Sequence, residues 1–243
     1  MLVKTRGIVF KSLKYGDNSL ITDIFTEELG LRSYIVNGVS SKSGNNKMVF
    51  FQPATLLDLI VYEREEKSLG RIKEFAHHHI FQRIPFDILY GSISLFMIEV
   101  TRNSIREKTV NRPLFQFVFD NIYKLDEENI PLSLYPQTYL VRLSEHLGFA
   151  PNGHWTENLC YFNLREGNYE SDFPVHPDYL DPAESYLLHL LNTLDDSELI
   201  YLDPQSKISR KIILEKLLHY YHLHIEQFRE IRSVEILSQI MHV

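Results

Sequence analysis

The sequence predicts an α+β protein in which a small five-stranded β-barrel is followed by α-helices. Short β-branched runs separated by turn residues fill the first 80 residues. At Pro85 the apolar residues change to helical spacing, and helix-start and helix-stop residues recur from there onward. We therefore expect a barrel domain at residues 1–80 and a helical domain at residues 81–243, with an irregular, proline- and glycine-rich insert at about 149–181.

The barrel prediction depends on five predicted strands. In the first, side chains alternate between two faces from Val3 onward, and Gly7 lies where a strand must bend. Such a set suits a small closed barrel such as an OB-fold, although an SH3-like barrel would give a similar pattern. The number of strands alone does not distinguish an OB-fold from an SH3-like barrel. The other four predicted strands cover residues 20–26, 31–36, 54–62 and 69–78.

The helical prediction begins with apolar residues at helical spacing over residues 86–100. Proline is favourable in a first helical turn because its missing N–H would lack a partner there. Glycine ends helices because it adopts positive φ without strain. By these rules, later helices start at Pro113, at Pro136 (ending at Gly148) and at Pro182 with Asp181 as N-cap, and the last two cover about 206–223 and 229–241.

The composition is that of a folded domain without disulfides or a membrane-crossing segment. The 44% hydrophobic and 23% charged residues are ordinary for a folded domain. The single cysteine, Cys160, allows no intrachain disulfide and no multi-cysteine zinc site. No apolar run approaches the roughly 20 residues that cross a bilayer. We expect a cytoplasmic protein that does not bind membranes.

The charge distribution indicates where nucleic acid could bind. The net charge is −7, yet residues 1–80 hold 11 basic and 9 acidic residues, against 14 and 23 in the remainder. The acidic remainder would repel phosphates, so a DNA-binding surface is expected near the N-terminus.

Several segments share a family pattern. They are Gly7 in the first strand, a polar turn at residues 15–17, a Thr-x-x-x-Gly link at residues 26–30, the segment 146–151, and Tyr-Tyr-x-x-His at residues 220–224. In order and spacing they resemble the bacterial RecO family over nearly the whole chain. The resemblance implies an N-terminal OB domain, a helical domain and, in many members, a zinc-ribbon-like insert.

The resemblance also implies a function in the RecF pathway of DNA recombination. RecO proteins bind single-stranded DNA, anneal complementary strands and work with RecR, and together they help RecA replace single-strand-binding protein. Many relatives carry four cysteines where this chain has Cys160 alone, with His154 and His176 nearby. We expect no metal or other cofactor here. The insert is expected to be a metal-free loop held by Tyr161, Phe162, Tyr169 and Phe173.

Single-strand binding needs cations that follow the phosphates and flat side chains on which bases stack. Lys4 and Arg6 share one face of the first strand, and Lys42 and Lys47 lie in a polar loop. For any one of these residues alone, a solubilising charge or an ordinary barrel aromatic is the favoured interpretation, whereas for the group the family resemblance favours DNA binding. The predicted DNA-binding set is Lys4, Arg6, Lys11, Lys14, Tyr15, Arg32, Tyr34, Lys42, Lys47 and Arg71, with Lys73 as a further barrel cation.

Two other clusters have both a functional and an ordinary interpretation. On a strand, His77 and His79 share a face and could meet one metal ion, but a solvated strand end is the simpler interpretation. On the last long helix, cations lie beside an apolar face. They could bind the acidic, hydrophobic-ended tail of a single-strand-binding protein, or they could simply form the solvent-exposed face of an amphipathic helix. The predicted partner-binding residues are Lys207, Arg210, Lys211 and Lys216.

No phosphate-binding loop, dinucleotide fingerprint, zinc-protease motif or nucleophile elbow is present in the sequence. We therefore expect a protein that is not an enzyme, because strand annealing needs no bond chemistry. A protein-interaction adaptor, which contacts DNA only through a partner, is the alternative. An unrecognised enzyme on the same frame is the third hypothesis.

Overall fold

The computed structural model describes residues 1–39, 47–62, 69–106, 109–202 and 207–240. A closed barrel of five strands occupies the N-terminal part, as the sequence predicts. Its strands are β1 (Leu2–Tyr15), β2 (Ser19–Thr26), β3 (Gly30–Asn37), β4 (Leu56–Tyr62) and β5 (Gly70–His77).

The strand order identifies the barrel as an OB-fold. The order is β1-β2-β3-β5-β4, and the long β1 pairs with both β2 and β4. All neighbours are antiparallel except β3 and β5, which pair in parallel. This order resolves the choice that the strand count left open.

The barrel is closed around a tightly packed interior. Val9, Ile24, Leu59 and Val61 are among its fully buried side chains. A Cβ added at Gly7 would lie 2.7 Å from side-chain atoms of both Ile24 and Leu59. Gly7 is therefore required because β1 approaches the opposite wall closely. The strand's irregularity lies further along, where the β1–β2 register shifts between Val9 and Lys11.

Two long helices and one short helix accompany the barrel. A 3-10 helix covers Lys47–Phe51, α1 covers Ile88–Ser104 and α2 covers Arg112–Glu127. The Asp87 carboxylate accepts hydrogen bonds from the backbone N–H groups of Leu89 and Tyr90, which caps α1.

Internal contacts divide the chain into two compact units, residues 1–127 and 128–243. The first unit holds the barrel, α1 and α2. The predicted domain boundary near residue 80 stays a prediction.

The second unit contains the remaining five of the seven α-helices in the described residues. The Asp181 carboxylate accepts the backbone N–H of Glu184, and Gly148 ends a helix at φ 86°, as predicted. None of the helices in the described part of the chain is long and apolar enough to cross a bilayer. These helices are α3 (Tyr135–Leu147), α4 (Pro182–Thr193), α5 (Asp196–Leu199), α6 (Lys207–His224) and α7 (Ser233–Ile240).

The segment predicted to be irregular contains a small three-stranded sheet. Its strands are β6 (Tyr161–Asn163), β7 (Asn168–Glu170) and β8 (Tyr179–Leu180), in the order β7-β6-β8. Strands of two or three residues are too short to show a period of two, so the sequence pattern did not reveal them. The predicted aromatics pack there as two groups: Phe162 against Tyr169, and Tyr161 against Phe173.

Candidate nucleic-acid interface

One row of side chains runs around the outside of the barrel. Directly paired residues on neighbouring strands face the same side, so the registers define the row. Leu13 is opposite Ile21, Ile21 is opposite Ile35, and Ile35 is opposite Arg71. Arg71 is in turn opposite Tyr62. The adjacent row, which includes Tyr34 and Val61, is buried. The row therefore faces outward; we call it the outer row.

The outer row carries aromatic and cationic groups around the outside of the barrel. Tyr62 is 44% exposed, and Arg71 on the next strand is exposed. Tyr15 lies two residues beyond Leu13 on β1, so it shares the outward face, and it is 56% exposed. Lys11 lies two residues before Leu13 on the same face. This arrangement provides ring faces for stacking and charges for phosphates.

Several cations on or near this face have no ion-pair partner among the residues that the structure describes. Lys11, Lys14 and Arg71 are exposed, and none forms an ion pair with a residue that the structure describes. Lys14 is next to Tyr15 at the end of β1. Lys73, by contrast, lies 3.2 Å from the Glu74 carboxylate. Among the described residues, these three cations are therefore available to phosphates, as is the exposed Lys4 on β1.

Arg6 stabilises the first unit through contacts within the protein. Its guanidinium donates to both carboxylate oxygens of Glu27, at 2.7 and 2.8 Å, and to the Gln116 side chain at 2.7 Å. It also lies over the rings of Phe119 and Phe115, 4.7 and 5.5 Å from their centroids. The hydrogen bond between the two side chains raises the pKa of Arg6 and lowers that of Glu27. Sequence reasoning grouped Arg6 with Lys4 but could not see these partners.

The other predicted DNA-binding residues are dispersed. Tyr34 is 1% exposed, and burial raises its pKa to about 12, so it has no free ring face for a base. Arg32 is half-buried on β3. Lys4 is exposed on β1, opposite Ile60, and Lys47 is half-buried in the 3-10 helix. Lys42 lies outside the described residues.

The consecutive histidines point to different partners. His77 stacks on Phe50 with ring centroids 4.1 Å apart, and burial lowers its pKa. His78 Nδ1 is 3.0 Å from Asp58 Oδ1. His79 Nε2 lies 3.2 Å from Asp126 Oδ2 and 3.1 Å from Glu127 Oε1. The triplet is thus a set of anchored side chains and not a freely solvated strand end.

Asp126 anchors the connection between the barrel and α1. Its carboxylate accepts the backbone N–H groups of Gln82, Arg83 and Ile84 at 2.7, 2.8 and 2.9 Å. Burial alone would raise the pKa of Asp126, but these three hydrogen bonds and the one to His79 hold it below its ordinary value. The carboxylate is therefore ionised inside the first unit.

The predicted partner-binding cations in the second unit differ in availability. Lys216 Nζ donates to Glu184 at 2.8 Å and to the Tyr179 carbonyl at 2.9 Å, so it stabilises the unit itself. Lys211 is exposed and Arg210 is half-buried on α6. α6 begins at Lys207, whose side chain lies outside the described part.

Sequence reasoning missed Tyr62. It is the last residue of the fourth predicted strand and has the same parity as Asp58, which pointed to an outward face. Leu13 was also missed, because the alternation that predicts the first strand was followed only over residues 3–10, whereas β1 continues to Tyr15.

Comparisons with known proteins cover almost the whole chain. Residues 1–81 match the family model described as Recombination protein O N terminal, and residues 85–232 match Recombination protein O C terminal. Three similar proteins carry the name DNA repair protein RecO. They come from Bacteroides fragilis (34% identical over 242 residues), Phocaeicola vulgatus (32% over 240) and Flavobacterium psychrophilum (31% over 243), each covering 99% of both chains.

Proposed function

The chain belongs to the RecO family, and we propose that it contributes to DNA repair by binding single-stranded DNA on the outer row of its barrel. The observation that supports this most is the pairing of the exposed Tyr62 with the exposed Arg71 on neighbouring strands, in an outward-facing row whose β1 end is next to the exposed Tyr15. Bases would stack on the two tyrosine rings while Arg71 and Lys11 contact phosphates. OB-folds commonly bind oligonucleotides on the face of their second and third strands and on adjoining loops, and the outer row crosses those two strands at Ile21 and Ile35.

The proposed activity is strand annealing without bond chemistry. Two single strands repel each other through their phosphates, and a basic surface lowers that repulsion. Stacking on tyrosine leaves the hydrogen-bonding edges of the bases available to a complementary strand. We propose that the protein is not an enzyme and that it works in the cytoplasm.

Protein partners are part of the proposal. Leu13 is 54% exposed on the outer row, and Ile21 and Ile35 beside it are half-buried. This apolar stretch suits a protein surface, and a RecR-like protein is the proposed partner there. With it, the chain would help load RecA. Lys211 and Arg210 on α6 are the proposed contacts for the acidic tail of a single-strand-binding protein.

The same apolar stretch favours the alternative function. In that case the chain is an adaptor that reaches DNA only through its partner, and its net charge of −7 keeps it off DNA when alone. The two functions differ in one measurable respect: whether the protein by itself binds a single strand.

A salt titration distinguishes direct DNA binding from the adaptor function. We would measure fluorescence anisotropy of a labelled single-stranded oligonucleotide with the wild-type protein and with the triple variant Lys11→Ala, Lys14→Ala, Arg71→Ala. Each phosphate contact contributes roughly 0.7 to the slope of log affinity against log salt concentration. The triple variant should therefore lower the slope by roughly 2.

Lys211→Ala is the matched control, because Lys211 is also an exposed lysine but lies on α6 of the second unit. It should leave the slope unchanged. If the wild-type protein does not bind at low salt, the adaptor function is favoured. Binding with the same slope in the triple variant would place the DNA elsewhere.

A further inference from the structure

Three potential metal ligands converge within the first unit, away from the outer row. They are His79 Nε2, Asp126 Oδ2 and Glu127 Oε1, and these atoms all lie within 4.8 Å of one another. His79 follows β5, whereas the two acidic residues are adjacent at the end of α2. We propose that these three side chains bind a divalent transition-metal ion, with Zn²⁺ as its test case.

The spacing of the three atoms fits coordination of a small ion. Zn²⁺ bonds imidazole nitrogen and carboxylate oxygen at about 2.0 Å, so neighbouring ligands of a tetrahedral ion are roughly 3.3 Å apart. His79 Nε2 lies 3.2 Å from the Asp126 oxygen and 3.1 Å from the Glu127 oxygen. The ion would replace the proton that otherwise joins the imidazole to the carboxylates.

Neighbouring groups hold the ligands in place, as in known metal sites, where ligating side chains are themselves hydrogen-bonded. The side chain of Asp126 is fully buried, and three consecutive backbone N–H groups, from Gln82 to Ile84, donate to it. The His79 ring packs edge-on against Phe81 and Tyr123, with centroids 5.4 and 4.8 Å away. The geometry therefore exists before any ion binds.

Water can complete the coordination. The Glu127 side chain is 39% exposed, so the site opens to solvent on that side. His79 also lines a cavity of about 630 Å³ together with Ile80, Phe81 and Phe86. One imidazole and two carboxylates suit Zn²⁺ or a similar divalent ion better than Ca²⁺, which prefers six to eight oxygen ligands.

A bound ion would fasten the segment after β5 to the end of α2. The segment 79–84 already contacts Asp126 through its backbone. A metal bond from His79 adds a second attachment point, so the ion would be structural. This role differs from that of a cysteine zinc ribbon and involves none of the residues of the second unit.

The test uses the full chain after treatment with a chelator. Zn²⁺ is titrated in by calorimetry and, in parallel, in competition with a chromophoric chelator. Glu127→Gln keeps the shape of a partly exposed side chain and should fold normally, and His79→Ala removes the nitrogen ligand. His78→Ala is the matched control, because its neighbouring imidazole faces Asp58 instead.

We expect one equivalent of Zn²⁺ in the wild-type protein and in His78→Ala, and affinity lower by about tenfold or more in Glu127→Gln and His79→Ala. Hydrogen exchange of the backbone amides of Gln82 to Ile84 should slow when Zn²⁺ is added to the wild type. The absence of saturable binding, or equal affinity in Glu127→Gln, would overturn the proposal. Either result would leave His79 in hydrogen-bond contact with the two carboxylates and without a metal ion.

Discussion

Arg6 is the residue on β1 for which a substitution should affect protein stability and DNA binding most differently. We predict that Arg6→Met destabilises the first unit and leaves the affinity for single-stranded DNA nearly unchanged. The substitution keeps the apolar stem over Phe119 but removes every hydrogen bond to Glu27 and Gln116. Lys11→Met is the matched control: it lies on the same strand, is exposed and has no ion pair with a described residue.

The expected magnitude follows from the contacts. A hydrogen bond to a charged group contributes about 1.5–3 kcal/mol, and the cation–π contact about 0.5–1 kcal/mol. Both side chains of the ion pair are about a quarter exposed, so solvent screens only part of the interaction. Against this, fixing the arginine costs up to about 2 kcal/mol of side-chain entropy. We expect Arg6→Met to lower the free energy of unfolding by roughly 2 kcal/mol.

Hydrogen exchange of the β1 and β2 amides measures this loss of unfolding free energy in the intact protein, without assuming that both units unfold together. Amides that exchange only by unfolding of the first unit should exchange roughly 30-fold faster in Arg6→Met. Glu27→Gln should have a similar effect, and the double variant should be less destabilised than the sum of the two. Lys11→Met should change stability by no more than about 0.5 kcal/mol, yet weaken DNA binding.

The effect should also depend on pH. The pKa of Glu27 is held below its ordinary value of 4.5 in the folded protein. The ion pair therefore stabilises the fold above that pH and is lost as the pH falls through the lower, folded-state pKa. The difference between wild type and Arg6→Met should shrink in that acidic range. Unchanged exchange in Arg6→Met, combined with a loss of DNA affinity like that of Lys11→Met, would refute the reasoning.

Two further predictions concern the packing of each unit. Gly7→Ala should destabilise the first unit by about 1–3 kcal/mol, because the new Cβ would lie 2.7 Å from buried atoms of Ile24 and Leu59; a thermal-unfolding midpoint equal to wild type would contradict this. Tyr221→Phe should cost the second unit about 1 kcal/mol, because the fully buried hydroxyl donates to the Leu140 carbonyl at 2.7 Å. Urea unfolding followed by the fluorescence of Trp155 would measure it, and an unchanged midpoint would show that the hydrogen bond does not stabilise the unit.

Much of the fold could be predicted from local patterns. Short β-branched runs between turn residues located the five strands, and rules for single residues located Asp181 as an N-cap and Gly148 as a helix end. The barrel topology was not accessible in this way, because the parallel pairing of β3 with β5 joins residues about 36 positions apart along the chain. The family resemblance supplied that information instead.

The candidate site was only partly predictable, for a related reason. Charge type can be read directly from the sequence, but strand parity would place Lys11 and Tyr15 on the buried face of Val9. The register shift between Val9 and Lys11 turns them outward, and alternation alone could not predict this shift. Whether a cation is available depends on partners distant in sequence, and Gln116 is 110 residues from Arg6. The prediction of Tyr34 as a stacking residue was wrong for another reason that depends on the whole fold. The curvature of the closed barrel decides which of two alternating strand faces becomes the core, and Tyr34 lies on the buried face.

Photo-cross-linking tests the central claim, that single-stranded DNA lies on the outer row, most directly. An oligonucleotide carrying 5-iodouracil would be bound to the wild-type protein at low salt and irradiated, and the attached peptides would be identified by mass spectrometry. Bases stacked on tyrosine should cross-link to Tyr15 and Tyr62, and Lys211→Ala should leave the pattern unchanged. Cross-links confined to the second unit, with none in β1 or β4, would contradict the account.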